Sequence, residues 1–118
     1  MILSGATIIS ADGLHDDGWC WPQIRLRLRA VSEATELRVG VWLKPEDDGP
    51  SRALFTFGAE GGTPKAEFVP LNEVSELVAP VAVAADEEIS LRISTSHRAS
   101  RGEDARDLSF ILRSLSLT

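Results

Sequence analysis

The chain has a single cysteine, Cys20, so it can form no internal disulfide and offers no cysteine cluster for zinc or an iron–sulfur centre. Histidine is nearly as scarce, with only His15 and His97 available as imidazole ligands or bases. Tyrosine is absent, which argues against a broad aromatic recognition surface. No run approaches the roughly twenty apolar residues that a membrane-spanning helix needs. The opening MILSGATIIS lacks a basic leader and is broken by Ser4 and Gly5, so it reads as a first strand and not as a signal peptide.

Basic charge is also in short supply. Lys44 and Lys65 are the only lysines among 12 basic residues, against 18 acidic ones, and the formal net charge is −6. Affinity for nucleic acid comes from neutralising phosphates, so this balance opposes it and favours neutral or cationic partners. The 43% hydrophobic and 25% charged content is that of a soluble globular protein, and 118 residues suit one domain, residues 1–118.

What is present is alternation of period two. Ile24, Leu26 and Leu28 alternate with Arg25, Arg27 and Arg29, and Leu37, Val39, Val41 and Leu43 alternate with Arg38, Gly40, Trp42 and Lys44. The same pattern returns at Ala53, Phe55 and Phe57 and at Ile89, Leu91 and Ile93. Turn-forming clusters separate the runs at Pro45 to Pro50, Gly58 to Pro64 and Ala85 to Glu88. Leu71, Val74, Leu77 and Val78 also fit a helical face, but Leu77, Ala79, Val81 and Val83 alternate. Pro80 would break a helix there and is tolerated on a sheet edge.

The final run changes phase: Leu108, Phe110 and Leu112 share one parity, Leu115 and Leu117 the other. One extra residue near Arg113 and Ser114, a β-bulge, keeps both sets pointing inward. With a first strand around Ala6 to Ser10, the expected fold is all-β. It is an antiparallel two-sheet β-sandwich of jelly-roll type, with about eight strands.

Catalytic constellations are thin. Ser96, His97 and Asp104 can be drawn as a triad, but all lie in one loop without a strained nucleophile turn, so no enzymatic activity is expected. His15, Asp16 and Asp17 offer oxygen and nitrogen ligands. Adjacent residues on an extended chain point apart, however, so a solvated turn is favoured over structural calcium, and no cofactor is expected.

The arginine row Arg25, Arg27 and Arg29 could clamp a phosphate or a uronic acid. The simpler reading is sheet exterior paired with carboxylates such as Glu33, Glu36, Glu67 or Glu87. Trp42 has outward parity beside Arg38 and needs cover from arginine stacking, a second subunit or a ligand ring. Trp19 and Trp21 share a parity and are expected to look at the same place, where capping the core and binding a ligand compete on equal terms. The connection from Ser94 to Asp107 exceeds the usual length of about two to six residues, which marks it as functional or mobile.

The DGWCWP opening, the IRLRLR and LRVGVWL strands, and the closing Asp104, Arg106, Leu108 and Phe110 signature together resemble a known class. These are the small β-sandwich, carbohydrate-binding-module-like accessory domains attached to bacterial cell-surface polysaccharide glycosyltransferases. The resemblance runs from about Gly13 to Leu117 and implies a bacterial, non-catalytic domain that presents or packs on glycan machinery. Asp104 and Arg106, two residues apart, are expected to pair as a structural clamp.

The expected role is therefore binding of a neutral or basic glycan or polysaccharide. Trp19 and Trp21 would stack on it, with Trp42 as a further candidate and His97, Arg98 and Arg101 as polar contacts from the long loop. The alternative is a structural or adaptor subunit of a larger assembly, a phage-like particle or surface appendage, using the same surface for protein contacts or self-association. Neither reading calls for nucleic acid or membrane insertion.

Overall fold

The computed structural model describes residues 1–44, 52–96 and 109–118. Among them the protein is all-β, with nine strands and no helix, and hence no helix long and apolar enough to cross a membrane. The strands are β1 (Ile2–Ser4), β2 (Ala6–Leu14), β3 (Trp19–Ala30), β4 (Ala34–Leu43), β5 (Arg52–Ala59), β6 (Lys65–Pro70), β7 (Val74–Val83), β8 (Glu88–Thr95) and β9 (Phe110–Leu117).

Hydrogen bonding links the strands into one continuous path, β6-β5-β8-β3-β9-β4-β7, with β2 added to β3 and β1 added to β9. Every pair is antiparallel except β1 with β9. The hinge of the path is β3, which pairs with β8 from Gln23 to Arg29 and with β9 at Trp19 and Cys20. One strand thus serves two limbs, β2-β3-β8-β5-β6 and β1-β9-β4-β7, and the sheet bends around a shared core. Its two ends come close: the Lys65 Nζ on β6 donates to the Val78 carbonyl on β7 at 2.8 Å, giving the fold a nearly barrel-like closure.

The apolar parity of each run fills that core. Ile24, Leu26 and Leu28 from β3, Leu37, Val39 and Val41 from β4, Phe55 and Phe57 from β5, Leu91 and Ile93 from β8 and Leu112 and Leu115 from β9 are all buried. Phe55 meets Phe110 edge to face at 5.1 Å between centroids, joining the two limbs through their side chains.

The phase change in the last run is a bulge: Gly40 pairs with Ser114 but Val41 pairs with Leu112, which leaves Arg113 as the extra residue. Residues 74–83 form a strand, and Pro80 lies on β7, which ends the path and therefore needs no donor there. The run read as a single first strand is two, because Gly5 adopts φ +73 between β1 and β2 and a side chain on it would run into the Leu117 carbonyl. The turns after Gly58 and before Glu88 occupy the positions that their composition implies, with Asp86 in the left-handed region at φ 65. The turn at Pro45 to Pro50 lies outside the described residues.

Candidate functional site

The β2-β3 turn sets the three residues of the WCW motif. The Gly18 amide donates to the His15 carbonyl at 3.0 Å, Gly18 takes φ +90, and Asp17 Oδ1 accepts from the Trp19 amide at 3.2 Å. The HDD segment is thus a hydrogen-bonded turn, and among the described residues no three His, Cys, Asp or Glu side chains converge as metal ligands. Cys20 points inward, is fully buried, and donates weakly to the Gly18 carbonyl. Burial pushes its thiol up to about 12.

Trp19 and Trp21 both point outward, as their parity requires, but they do not look at the same place. At Trp19 the neighbour of β3 is β9, and Trp19, Ile111 and Trp42 stand in register across β3, β9 and β4, with Val74 next on β7. Trp19 and Trp42 meet edge to face at 6.4 Å and are both half-buried. Trp42 is therefore covered by another tryptophan. Arg38 does not stack on it but pairs with Glu36 and with Glu76, the latter at 2.7 Å, and both partners raise its pKa.

Trp21 leans the other way. It contacts His15 edge to face at 6.2 Å and lies over Gly13, whose missing side chain would sit 3.3 Å from its Cε3. Gly13 is at φ +87, at the irregularity where β2 passes from the Asp12–Arg25 pair to the Leu14–Cys20 pair. Trp21 remains 47% exposed and, with Asp12, Gln23 and Arg25, borders a cleft of about 560 Å³.

That cleft shares Gln23 and Ser94 with a second one of about 600 Å³ lined by Thr56, Glu60 and Arg92, and the two make one groove over β3, β8 and β5. Register builds its floor. Gln23, Ser94 and Thr56 stand side by side on the three strands, and no hydrogen bond occupies their side chains among the described residues. The next row carries Asp12, Arg25, Arg92 and Gly58. Trp21, Gln23 and Arg25 alternate outward along β3, so the backbone positions of Trp21 and Arg25 stand about 13 Å apart along the strand.

The arginine row is ion-paired, with carboxylates other than those proposed from the sequence. Arg25 meets Glu60 at 2.9 Å, while Arg27 and Arg29 share Glu88 at 3.5 and 3.9 Å; Arg92 joins Glu60 at 3.3 Å. Glu60 follows β5 and Glu88 opens β8, the strand that pairs with β3, and sequence spacing alone does not say which strand that is.

The groove thus unites Trp21 with Asp12, Gln23, Thr56, Ser94, Arg25, Arg92 and Glu60, and separates it from Trp19 and Trp42. His97, Arg98, Arg101, Asp104 and Arg106 lie outside the described residues, as does most of the Ser96, His97 and Asp104 set. Gln23, Thr56 and Arg92 were not singled out by sequence. Their only signal is outward parity, which most exterior residues share. No protein-family model matches the chain, and no curated protein matches it.

Proposed function

We propose that this protein is a non-catalytic carbohydrate-binding module, a β-sandwich of jelly-roll type, that holds a glycan in the groove over β3, β8 and β5. It would be an accessory domain of the kind found beside bacterial cell-surface polysaccharide glycosyltransferases, for which the DGWCWP opening and the alternating strands are the support. The observation that carries the binding role is Trp21. A half-exposed indole forms one wall of a groove whose floor offers an amide and two hydroxyls that make no hydrogen bond among the described residues. Sugars suit such a surface because their C–H faces stack on an aromatic ring while their hydroxyls take neighbouring polar groups.

A glycan array tests it. The intact protein is expected to bind at least one glycan class, Trp21→Ala to lose that binding while keeping its melting temperature, and Trp42→Ala to keep it. Binding that persists undiminished in Trp21→Ala, or no glycan binding at all, overturns the reading.

A second reading has its own observation. Beside the Trp42, Ile111 and Val74 row, Ile2 is 74% and Val74 62% exposed, so this limb presents apolar surface suited to protein contact in a structural or adaptor subunit. A stable oligomer without glycan binding, dissociated by Val74→Glu, favours it over the first.

A further inference from the structure

The net charge of the chain directs attention to neutral or basic ligands, but charge is unevenly placed. On the outward face of β2, β3 and β8, with the end of β5, Arg25, Arg27, Arg29 and Arg92 pair with the carboxylates Glu60 and Glu88, and Asp12 stands in register beside Arg25. Among the described residues the excess of guanidiniums on this face is carried by Arg27 and Arg29, which share Glu88, whereas in the groove itself Arg25 and Arg92 stand against Glu60 and Asp12.

Within it, Arg25 and Arg92 are direct cross-strand partners, an arrangement that sets two like charges side by side and needs an anion between them. Glu60 supplies one, and both guanidiniums approach the same oxygen, Oε1, at 2.9 and 3.3 Å. One carboxylate offers about four acceptor sites, whereas two guanidiniums carry about ten N–H donors between them, so Glu60 cannot saturate the pair. Both side chains are about half exposed, at 54% and 48%, and both line the groove. Asp12 stands in register on the far side of Arg25 from Arg92 and also borders the groove, so it opposes an anion on the β2 side of Arg25 and leaves the side between Arg25 and Arg92 for the approach.

From this geometry we infer that the groove selects a glycan bearing carboxylates, with a uronic acid carboxylate seated on Arg25 and Arg92 while a ring of the same chain stacks on Trp21. This rests on the carbohydrate-binding reading above and narrows it to acidic polysaccharides. Guanidinium forks match carboxylates in plane and in donor spacing, and charge-assisted contacts of this kind are about twice as strong as neutral ones. The backbone positions of Trp21 and Arg25 lie about 13 Å apart along β3, a span of more than one sugar ring, so a ligand that engages both residues is an oligosaccharide and not a single uronate.

The probe is a matched pair: oligogalacturonate and the same oligosaccharide with its carboxyl groups reduced to alcohols, measured by titration calorimetry at low and moderate salt. The intact protein is expected to bind the acidic form about tenfold or more tighter, with the preference shrinking as salt rises. Arg25→Gln with Arg92→Gln, checked for an unchanged melting temperature, is expected to remove the preference and retain the weaker binding of the reduced form. Trp21→Ala is expected to weaken both forms.

Equal binding of both forms, lost in Trp21→Ala, overturns the carboxylate assignment and leaves glycan binding standing. A preference that survives the double arginine substitution overturns the assignment to these residues. Binding of neither form, together with an empty glycan array, overturns both readings.

Discussion

Trp19 and Trp21 are separated by one residue and share a parity, yet they end in two different chemical settings. Trp19 lies where β3 pairs with β9 and finds Trp42 in register two strands away, so its ring is half-buried in an apolar row. Trp21 lies where β3 is about to pair with β8, packs over the bare Gly13, and overlooks a polar groove. The difference comes from the change of partner strand between them. Parity decides which way a side chain points; the neighbouring strand decides what it meets.

The largest effect expected from breaking this contrast is on stability. Trp42→Ala removes the cover of Trp19 and opens a gap against Ile111, and should cost about 2 kcal/mol of unfolding free energy in denaturant titration. Glycan affinity should be unchanged. Trp21→Ala should do the converse: thermal unfolding within about 0.5 kcal/mol of the parent, as for exposed substitutions, but affinity lower by about thirtyfold, as for an aromatic anchor at a binding surface. If the two variants show the same profile, the two tryptophans belong to one surface after all.

Gly13 supports one side of the contrast only. Its φ is +87, and a methyl group added there would lie 2.9 Å from the Gln23 carbonyl and 3.3 Å from Trp21, so alanine is both strained and crowded. Gly13→Ala should lower stability by about 1 kcal/mol and shift Trp21, visible as a change in indole fluorescence. Gly18→Ala, on the Trp19 side, should leave groove binding intact.

Much of the fold is legible in the chain because one parity of each long run is apolar: β3, β4, β5 and β8 follow from that alone. Even the bulge at Arg113 shows as a slip in phase. β6 is hidden because Lys65 and Glu67 occupy the parity that pairs with buried Phe57 and Phe55, as suits a strand at the end of the path where charge discourages further pairing. β1 is hidden because its three residues are all exposed and too short to alternate.

The groove was less legible than the strands. Trp21 stood out by composition, but Gln23, Ser94 and Thr56 become neighbours only through the β3-β8-β5 order. Arg92 acquires meaning only because it faces Arg25. Strand order and register are long-range facts, and local periodicity does not contain them.

Cys20 sits at the point where the two environments part, and its ionisation offers the gentlest way to disturb both. The thiol is fully buried between β9 and β2, next to Phe110 and Leu14 in register. Its pKa rises from the ordinary 9.0 to about 12, chiefly because burial disfavours the thiolate, with Asp17 adding repulsion and a backbone hydrogen bond from Leu112 working the other way. Above pH 9 the unfolded chain releases this proton while the folded chain keeps it. The unfolded state then binds fewer protons, and stability must fall with pH.

The loss begins near pH 9 and continues until the folded thiol itself ionises near 12, with a limiting slope of about 1.4 kcal/mol per pH unit from this one group. At pH 10 the cost is therefore on the order of 1 kcal/mol. Denaturant titrations of the parent and of Cys20→Ala from pH 7.5 to about pH 10.5 should converge as pH rises, because only the parent carries the titrating thiol. Parallel curves, or rapid alkylation of folded Cys20 at neutral pH, would show that the seam between the two tryptophans is open to solvent.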